Sequence, residues 1–524
     1  MKLVIVHYHY RPGGIRRVIE LAAPHILRAF GDSLTDLLLT GGEAPDRKWR
    51  EDFQAACAPA TVGYFIEPAF GYFSEQRRAP AKLRESLRRG LERLLDGARA
   101  EDTLVWAHNL GLARNLLLTG ELTRACEERR VPLLAHHHDW WFDNRWQRWP
   151  EARRAGFDTL NQIARVVFGS PRVRHLTINH ADNAILKRHQ RGRTHWLPNL
   201  AEPAPPPPAP RAAYAREWLR HRLDHGAPVW LLPCRLLRRK NVAEALLLTR
   251  WLRSHAWLVT TGGVSSADER AYFEKLDAAA RAHHWRLRLG VLAGDETRKP
   301  SVGELLAASE AVMLTSIQEG FGLPYLEATA AGRPLLARSL PNIAPDLKKF
   351  GFRFPQYYQD ILVNTELFDW NAERARQRRL FRVWLQGLPA AARKLAGEPQ
   401  LLSTAGQLGA VPFSRLTLTA QIEVLARPTG VSWEACAPLN PFLKPWRERA
   451  ESGRLGVAAW PERAAAWLSG EHYGRSFLHA YEESAVASNG NRRLAAVAQH
   501  CQTDFIRHKL QPEFLYPLLW GCDS

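Results

Sequence analysis

Ala311-Val-Met-Leu-Thr315-Ser-Ile-Gln-Glu319-Gly-Phe-Gly322-Leu-Pro324-Tyr-Leu-Glu327-Ala-Thr-Ala-Ala-Gly332-Arg-Pro334-Leu-Leu-Ala337 is the stretch that decides the fold. Ala311–Thr315 is an apolar run of the length of a buried strand, and Pro334–Ala337 begins another. The loop between them carries glycines and leads into a helix. Pro324 suits that helix's first turn and Gly332 the position just past its end. A strand, a helix and a second strand in so short a span form a parallel pair with a crossover helix.

The alternation extends in both directions. Val229–Leu232, Trp257–Thr260 and Leu287–Leu289 read as further strands of the same half. In the first half the strands are Leu3–Val6, Leu34–Leu39, Thr103–Val105, Val131–Leu134, His175–Ile178 and His195–Leu197, with helices at Ile15–Phe30 and Ser86–Ala98. Such a pattern gives a parallel sheet covered by helices on both faces. Between the halves stands Ala201-Glu-Pro-Ala-Pro-Pro-Pro-Pro-Ala-Pro210, which cannot join a sheet interior and favours an extended spacer. The expected organisation is a Rossmann-like, acceptor-side domain over 1–200, a proline-rich linker over 201–212, and a second, donor-binding Rossmann-like domain over 213–375. A helical extension over 376–524 follows, part of it crossing back to the first domain. Trp433, Trp446, Trp460, Trp467 and Trp520 in that extension read as core or docking residues, since helical extensions bury large aromatics.

Composition narrows the class. At 524 residues, 46% hydrophobic and 24% charged, the chain is a folded globular protein too long for one ordinary core. No apolar run reaches about 18 residues, the length that would span a bilayer. The start, Met1-Lys-Leu-Val-Ile-Val-His7, reads as a first strand rather than a signal peptide. Cys57, Cys126, Cys234, Cys436, Cys501 and Cys522 are scattered with no CxxC pair, which suits reduced thiols and a cytoplasmic protein. The net charge is +19, and of the 72 basic residues 12 are lysine and 60 arginine, spread through helical stretches. Three readings stand in order: a compositional bias with solvated faces, a surface for an anionic acceptor or the inner face of a membrane, and nucleic acid last. The expected partners exclude nucleic acid, and oligomeric state is left open.

Chemistry concentrates at strand ends. Glu319 and Glu327 lie eight residues apart, one in the loop and one on the helix, so they flank the helix start without touching. The N–H groups of that start favour an anion, and the two carboxylates can accept bonds from hydroxyls on either side of it. Upstream, Leu231-Leu-Pro-Cys-Arg235-Leu-Leu-Arg-Arg-Lys240-Asn241 places two cations five apart at a strand-to-helix turn, suited to a diphosphate. Arg238 and Arg239 leave that assignment open, because either can substitute for a neighbour. A capping carboxylate and a solvated basic turn are the plain alternatives.

Taken together, Arg-x4-Lys and the later Glu-x7-Glu around Gly-Phe-Gly-Leu-Pro resemble the retaining GT-B glycosyltransferases of the glycosyl transferases group one class, family four. The resemblance spans about residues 1–375. It implies an α/β fold with two facing, doubly wound Rossmann-like domains, with Arg235 and Lys240 on the diphosphate, Glu319 on the donor sugar and Glu327 on the ribose. The main chain of Phe321, Gly322 and Leu323 would lie near sugar and phosphate, and Leu292 at the nucleobase. His7-Tyr-His-Tyr-Arg-Pro-Gly13-Gly14-Ile15 looks like the family's glycine loop near donor phosphate and acceptor, though tight turns use Gly-Gly anyway. Val131-Pro-Leu-Leu-Ala-His-His-His138-Asp139 matches the strand whose last histidine faces the donor sugar, here His138; His108 reads as structural or acceptor-side. Three successive histidines also suggest a metal, but adjacent side chains on a strand point to alternate faces and rarely converge. Cys234 and Asn241 stand where the family usually has glycine.

The expected function is metal-independent, cofactor-free transfer of a hexose, with retention, from a UDP- or GDP-linked donor to a hydroxyl of a saccharide, lipid or small molecule. Glu319, His138, Arg235 and Lys240 are the expected catalytic group. Rival readings are a nucleotide-sugar epimerase or hydrolase on the same fold, and a non-catalytic basic binding protein. A dinucleotide-dependent dehydrogenase lacks its GxGxxG after the first strand.

Overall fold

The computed structural model describes all residues except 144, 204, 225, 265, 295–297, 405, 485–493 and 522–524, and the side chain of residue 147. The chain forms two compact units. The first comprises Met1–Ala201, Gln386–Ala396 and Arg463–Leu510; the second comprises Glu202–Leu385, Gly397–Glu462 and Gln511–Ser524.

In the first unit, seven strands form one all-parallel sheet: β1 (Lys2–Val6), β2 (Asp36–Gly41), β3 (Thr61–Ile66), β4 (Thr103–His108), β5 (Leu133–His137), β6 (Val173–Thr177) and β7 (Thr194–Trp196). Their order is β3-β2-β1-β4-β5-β6-β7. Residues Leu3–Val6 and Thr103–His108 are buried throughout, as a sheet covered on both faces requires. The order in which strands are added reverses between β1 and β4, and ligands of such sheets bind at the carboxyl ends of the strands beside that switch.

The second unit repeats the plan with β8 (Val229–Leu232), β9 (Trp257–Thr260), β10 (Leu287–Arg288), β11 (Ala311–Leu314), β12 (Leu335–Arg338) and β13 (Gln356–Tyr358). The order is β10-β9-β8-β11-β12-β13, so its switch lies between β8 and β11. The loops after these two strands carry the Arg-x4-Lys and Glu-x7-Glu motifs.

Several elements depart from expectation. β3 and β13 are additional strands. β3 is an edge strand, mostly half-buried and with Gly63 at its centre, so its apolar signal is weak; β13 is only three residues long. The second helix of the first unit's sequence pattern runs Pro80–Leu94 rather than Ser86–Ala98, because Pro80 fits its first turn and the chain leaves helical geometry before Gly97 (φ 66°). The helix Ala209–Arg220 takes in Ala209 and Pro210, which shortens the extended part of the proline run.

The tail is divided between the units. Its helix Gly470–Ser484 lies on the helix Gly14–Phe30 of the first unit, where Gly470 and Gly474 make close approach possible. A Cβ on Gly474 would sit 2.4 Å from the His25 carbonyl oxygen, and one on Gly470 would sit within 2.1 Å of the His25 ring. Tyr473, Phe477 and Ala480 complete the core there, with Phe477 edge-on to Trp106 at 5.1 Å. From the helix Leu494–Lys509, Lys509 reaches Asp143 (2.9 Å) and Asp182 (3.4 Å).

The tryptophans pack as expected: Trp446 and Trp520 are buried, and Trp433, Trp460 and Trp467 are half-buried against aromatic neighbours. Cys57, Cys126, Cys234, Cys436 and Cys501 are free and buried, and Cys522 lies outside the described residues. Among the described residues no helix is long and apolar enough to cross a membrane.

Candidate functional site

Both strands flanking the second unit's switch run into loops that fix polar side chains. After β8 the chain is strapped to the loop after β9: the Cys234 amide donates to Thr261 Oγ1 (3.0 Å), the Gly262 amide to the Cys234 carbonyl (2.8 Å) and the Leu236 amide to the Gly263 carbonyl (3.1 Å). A Cβ on Gly262 would come within 3.2 Å of Arg235 Cα and Cγ, so the residue beneath Arg235 must be small. Arg235 itself is exposed and forms no ion pair with any described residue.

The chain then makes one turn, Arg238–Lys240, and passes through Asn241 (φ 49°, ψ 55°) into the helix Val242–Leu252. Asparagine is among the few residues other than glycine that tolerate the left-handed region. Here its buried amide also donates to Glu244 (3.0 Å) and accepts from Gln421 (3.3 Å). The substitution at the usual glycine position therefore keeps the turn.

The loop after β11 brings Glu319 into this turn. Its buried carboxylate receives Lys240 Nζ, Arg239 Nη1 at 2.7 Å and Ser316 Oγ at 2.7 Å. Arg239 also donates to the Gln318 carbonyl (2.7 Å), Asn342 to the Glu319 carbonyl (2.8 Å), and the Ile317 amide to the Arg239 carbonyl (2.8 Å). Burial opposes charge on Glu319, but Arg239, Lys240 and Ser316 outweigh it and hold its pKa down at about 2. The four cations of the motif thus divide. Arg238 is bound to Glu269, Arg239 and Lys240 to Glu319, and Arg235 stays open.

Gly322 (φ 77°) caps the helix Leu323–Ala330, in which Pro324 occupies the first turn; Gly332 (φ 61°) follows its end. Phe321 is buried, and Glu327 lies on the helix's exposed side. Leu292, half-buried in the loop after β10, donates its amide to the Thr261 carbonyl (2.8 Å). Because all the strands are parallel, Arg235, Lys240, Leu292, Glu319 and the helix start share the carboxyl rim of one sheet.

On the matching rim of the first unit, the switch is occupied by histidines. His7 follows β1, His108 ends β4, and His136 and His137 end β5 with His138 just beyond it. Alternation holds. His137 turns to the opposite face, where it pairs with His175 (2.9 Å) and stacks on Trp140. His136 and His138, two apart, share a face with His108, whose Nδ1 lies 3.1 Å from His138 Nε2. One ring nitrogen from each of His108, His136 and His138 falls within 4.8 Å of the others, so among the described residues these three can hold a metal ion. Reading the histidines as one consecutive run overlooked this set, because its third member comes from the neighbouring strand. Burial first, and neighbouring histidines second, keep all of them neutral: His138 is lowered to about 3, and His108 and His136 well below the usual value.

Gly13 (φ 170°) caps the helix in exposed, extended backbone, and Gly14 is the helix's exposed first residue. A Cβ on Gly14 would meet nothing within 4 Å, and one on Gly13 only a carbonyl at 3.8 Å. The fold does not require glycine at either position, so what both provide is open space above the rim.

Residues 220–352, the segment holding both motifs, match the family "Glycosyl transferases group 1". Residues 220–352 are a group 1 glycosyltransferase domain. Mannosylglucosyl-3-phosphoglycerate synthase of Petrotoga mobilis is 25% identical over 373 residues, 69% of either chain. Mannosylglucosylglycerate synthase of the same organism is 21% identical over 273 residues, covering 48% of this chain and 62% of its own. Sucrose-phosphate synthase from Thermosynechococcus elongatus superposes with a TM-score of 0.52 at 14% identity over 93% of this chain and all of its own, a likeness of fold.

The fold is GT-B and the chemistry is glycosyl transfer. Within the group 1 domain, sequence reasoning missed Arg239 as the partner of Glu319. Its only signal was its place beside Lys240 in an arginine-rich run, shared with Arg238, which turns elsewhere.

Proposed function

We propose that the chain transfers a hexose with retention from a nucleoside diphosphate donor to a hydroxyl of a saccharide or other small molecule. The observation that carries this is the pairing of Glu319 with Lys240 across the β8/β11 switch. It sets an ionised carboxylate, an acceptor for sugar hydroxyls, beside cations suited to a diphosphate. On this reading Arg235, Lys240 and the start of the helix Leu323–Ala330 take the diphosphate, with no divalent ion needed there. Glu319 takes the donor sugar, Glu327 the ribose and Leu292 the nucleobase, and the main chain at Phe321, Gly322 and Leu323 lies near the phosphates. From the first unit, His138, Gly13 and Gly14 contribute to substrate contact. The Petrotoga relatives, both named for mannosylglucosyl products, support a sugar donor.

Purified protein is titrated with UDP, GDP, ADP and their hexose conjugates in the presence of chelator, following melting temperature. One nucleotide series should stabilise the fold by mass action. Lys240→Ala should abolish that shift, and Glu319→Ala should keep nucleotide binding but lose transfer by roughly a hundredfold or more. Near-normal transfer by either variant sinks the assignment.

A further inference from the structure

Beside the histidine rim of the first unit stands a group of arginines that the proposed donor site does not use. Arg145 and Arg148 bracket one tight turn after β5, the Arg148 amide donating to the Arg145 carbonyl at 3.0 Å. Arg114 follows the end of β4, and its guanidinium carbon lies 4.3 Å over the ring of Tyr72. Tyr72 in turn accepts or donates a bond with His9 of the glycine loop (2.9 Å) and packs against Tyr8. Arg145 is tied to Asp139 at 3.1 Å, the residue next to His138. The group is therefore continuous with both the glycine loop and the histidines.

Its charges do not balance. Arg148 faces Glu151 at a loose 3.5 Å and Arg145 faces Asp139, while Arg114 forms no ion pair with any described residue. Three guanidinium groups thus meet two carboxylates. Arg148 is mostly buried, 11% of its side chain exposed, and its Nε has no hydrogen-bond partner. A buried guanidinium donor left unpaired is costly, and a purely structural arginine is expected to satisfy its fork. Burial first, and then Arg114 and Arg145, lower the pKa of Arg148 to about 10; burial, with Arg145 as a smaller cause, depresses that of Arg114. The three are thus close enough to repel one another.

We propose that Arg114, Arg145 and Arg148 form an acceptor subsite for a small anionic acceptor, binding its phosphate or carboxylate so that a hydroxyl is presented at the His138 rim. The inference rests on the glycosyltransferase reading and names the acceptor class within it. Planar guanidinium forks suit a phosphate or carboxylate, and a bound anion supplies the missing countercharge.

The test uses the full chain saturated with whichever nucleotide stabilises it, which keeps the donor site occupied. Glucose, glucose 6-phosphate and glucuronate are titrated by calorimetry against wild type, Arg114→Gln, Arg148→Gln and a control, Arg153→Gln, whose side chain is exposed. Glucose 6-phosphate or glucuronate should bind at least about tenfold tighter than glucose, the usual worth of one charge-assisted hydrogen bond. The stronger of the two identifies the anion. That advantage should vanish in Arg114→Gln and Arg148→Gln, persist in Arg153→Gln, and leave nucleotide affinity unchanged throughout.

Equal binding of the charged and neutral probes overturns the proposal, as does an advantage that survives both arginine variants. Should a variant fail to fold, the wild-type comparison of the three probes decides alone. Failure of the donor reading would show separately, as absence of nucleotide binding in wild type.

Discussion

Arg239 shows how a single residue can prepare a site without touching substrate. One nitrogen of its guanidinium spans the Gln318 carbonyl and the Glu319 carboxylate, fixing both ends of the residue assigned to the donor sugar. Replacing it with alanine removes one of the two cations that hold the Glu319 pKa down at about 2, so that pKa must rise. The acid limb of the pH–rate profile of Arg239→Ala should move to higher pH. We expect kcat to fall by up to roughly a hundredfold as Glu319 loses its position, with nucleotide affinity little changed. Arg239→Lys should restore the limb but not the full rate, because an ammonium cannot reproduce the fork. An acid limb that stays in place in Arg239→Ala would show that Lys240 alone sets the carboxylate. Glu319 and Lys240 stood out in the sequence because, with Arg235 and Glu327, they fall on the motif pattern of the family that the chain resembles. Arg239 did not, since sequence alone cannot say which way consecutive residues of one tight turn will point.

At the level of elements, the strand–helix alternation was readable because parallel strands are nearly all apolar and their helices end at recognisable residues such as Pro324 and Gly332. What was hard to read had weak local signal. Edge strand β3 is only half-buried, β13 is too short for any period, and the pairing of His108 with His136 and His138 depends on which strands are neighbours. The docking of the tail is likewise non-local. Gly470 and Gly474 are unremarkable in sequence and become essential only where their helix meets His25. Gly474→Val should cost about 1–3 kcal/mol or more through overpacking against the His25 backbone, read as a lower denaturation midpoint. Gly14→Ala, whose Cβ would meet open space, should leave the midpoint nearly unchanged. Equal effects from the two would refute the packing account of the tail.

For the molecule as a whole, the arginine excess concealed its own most specific use. With 60 arginines spread along the chain, no sequence pattern separated Arg114, Arg145 and Arg148 from solvated ones; burial did. The histidines give a global prediction. His7, His138 and His175 have pKa values lowered to about 3, and those of His108, His136 and His137 lie well below the usual 6.5, with burial the first cause in each. The unfolded chain therefore binds more protons than the folded one below pH 6.5. Stability present above that pH should be lost as pH falls toward 3, by on the order of 2 kcal/mol per histidine at pH 5. Melting temperature followed from pH 7.5 to 4.5 should drop steeply, and His136→Asn should flatten the curve. A flat profile in wild type would mean that these rings are reached by water and protonate in place.

The returning tail also bears on the order in which a ribosome can finish this protein. Nearly all of the second unit has been made once residue 462 emerges, but the first unit still lacks the helices that cover Ile19, Trp106 and their neighbours. The half of the chain synthesised first thus waits for residues made near the end before its core can close. Through most of translation it carries an exposed apolar groove of the kind that draws chaperones or aggregates. A fragment ending near residue 201 should inherit that condition permanently, and co-expressing residues 463–510 is the direct way to relieve it.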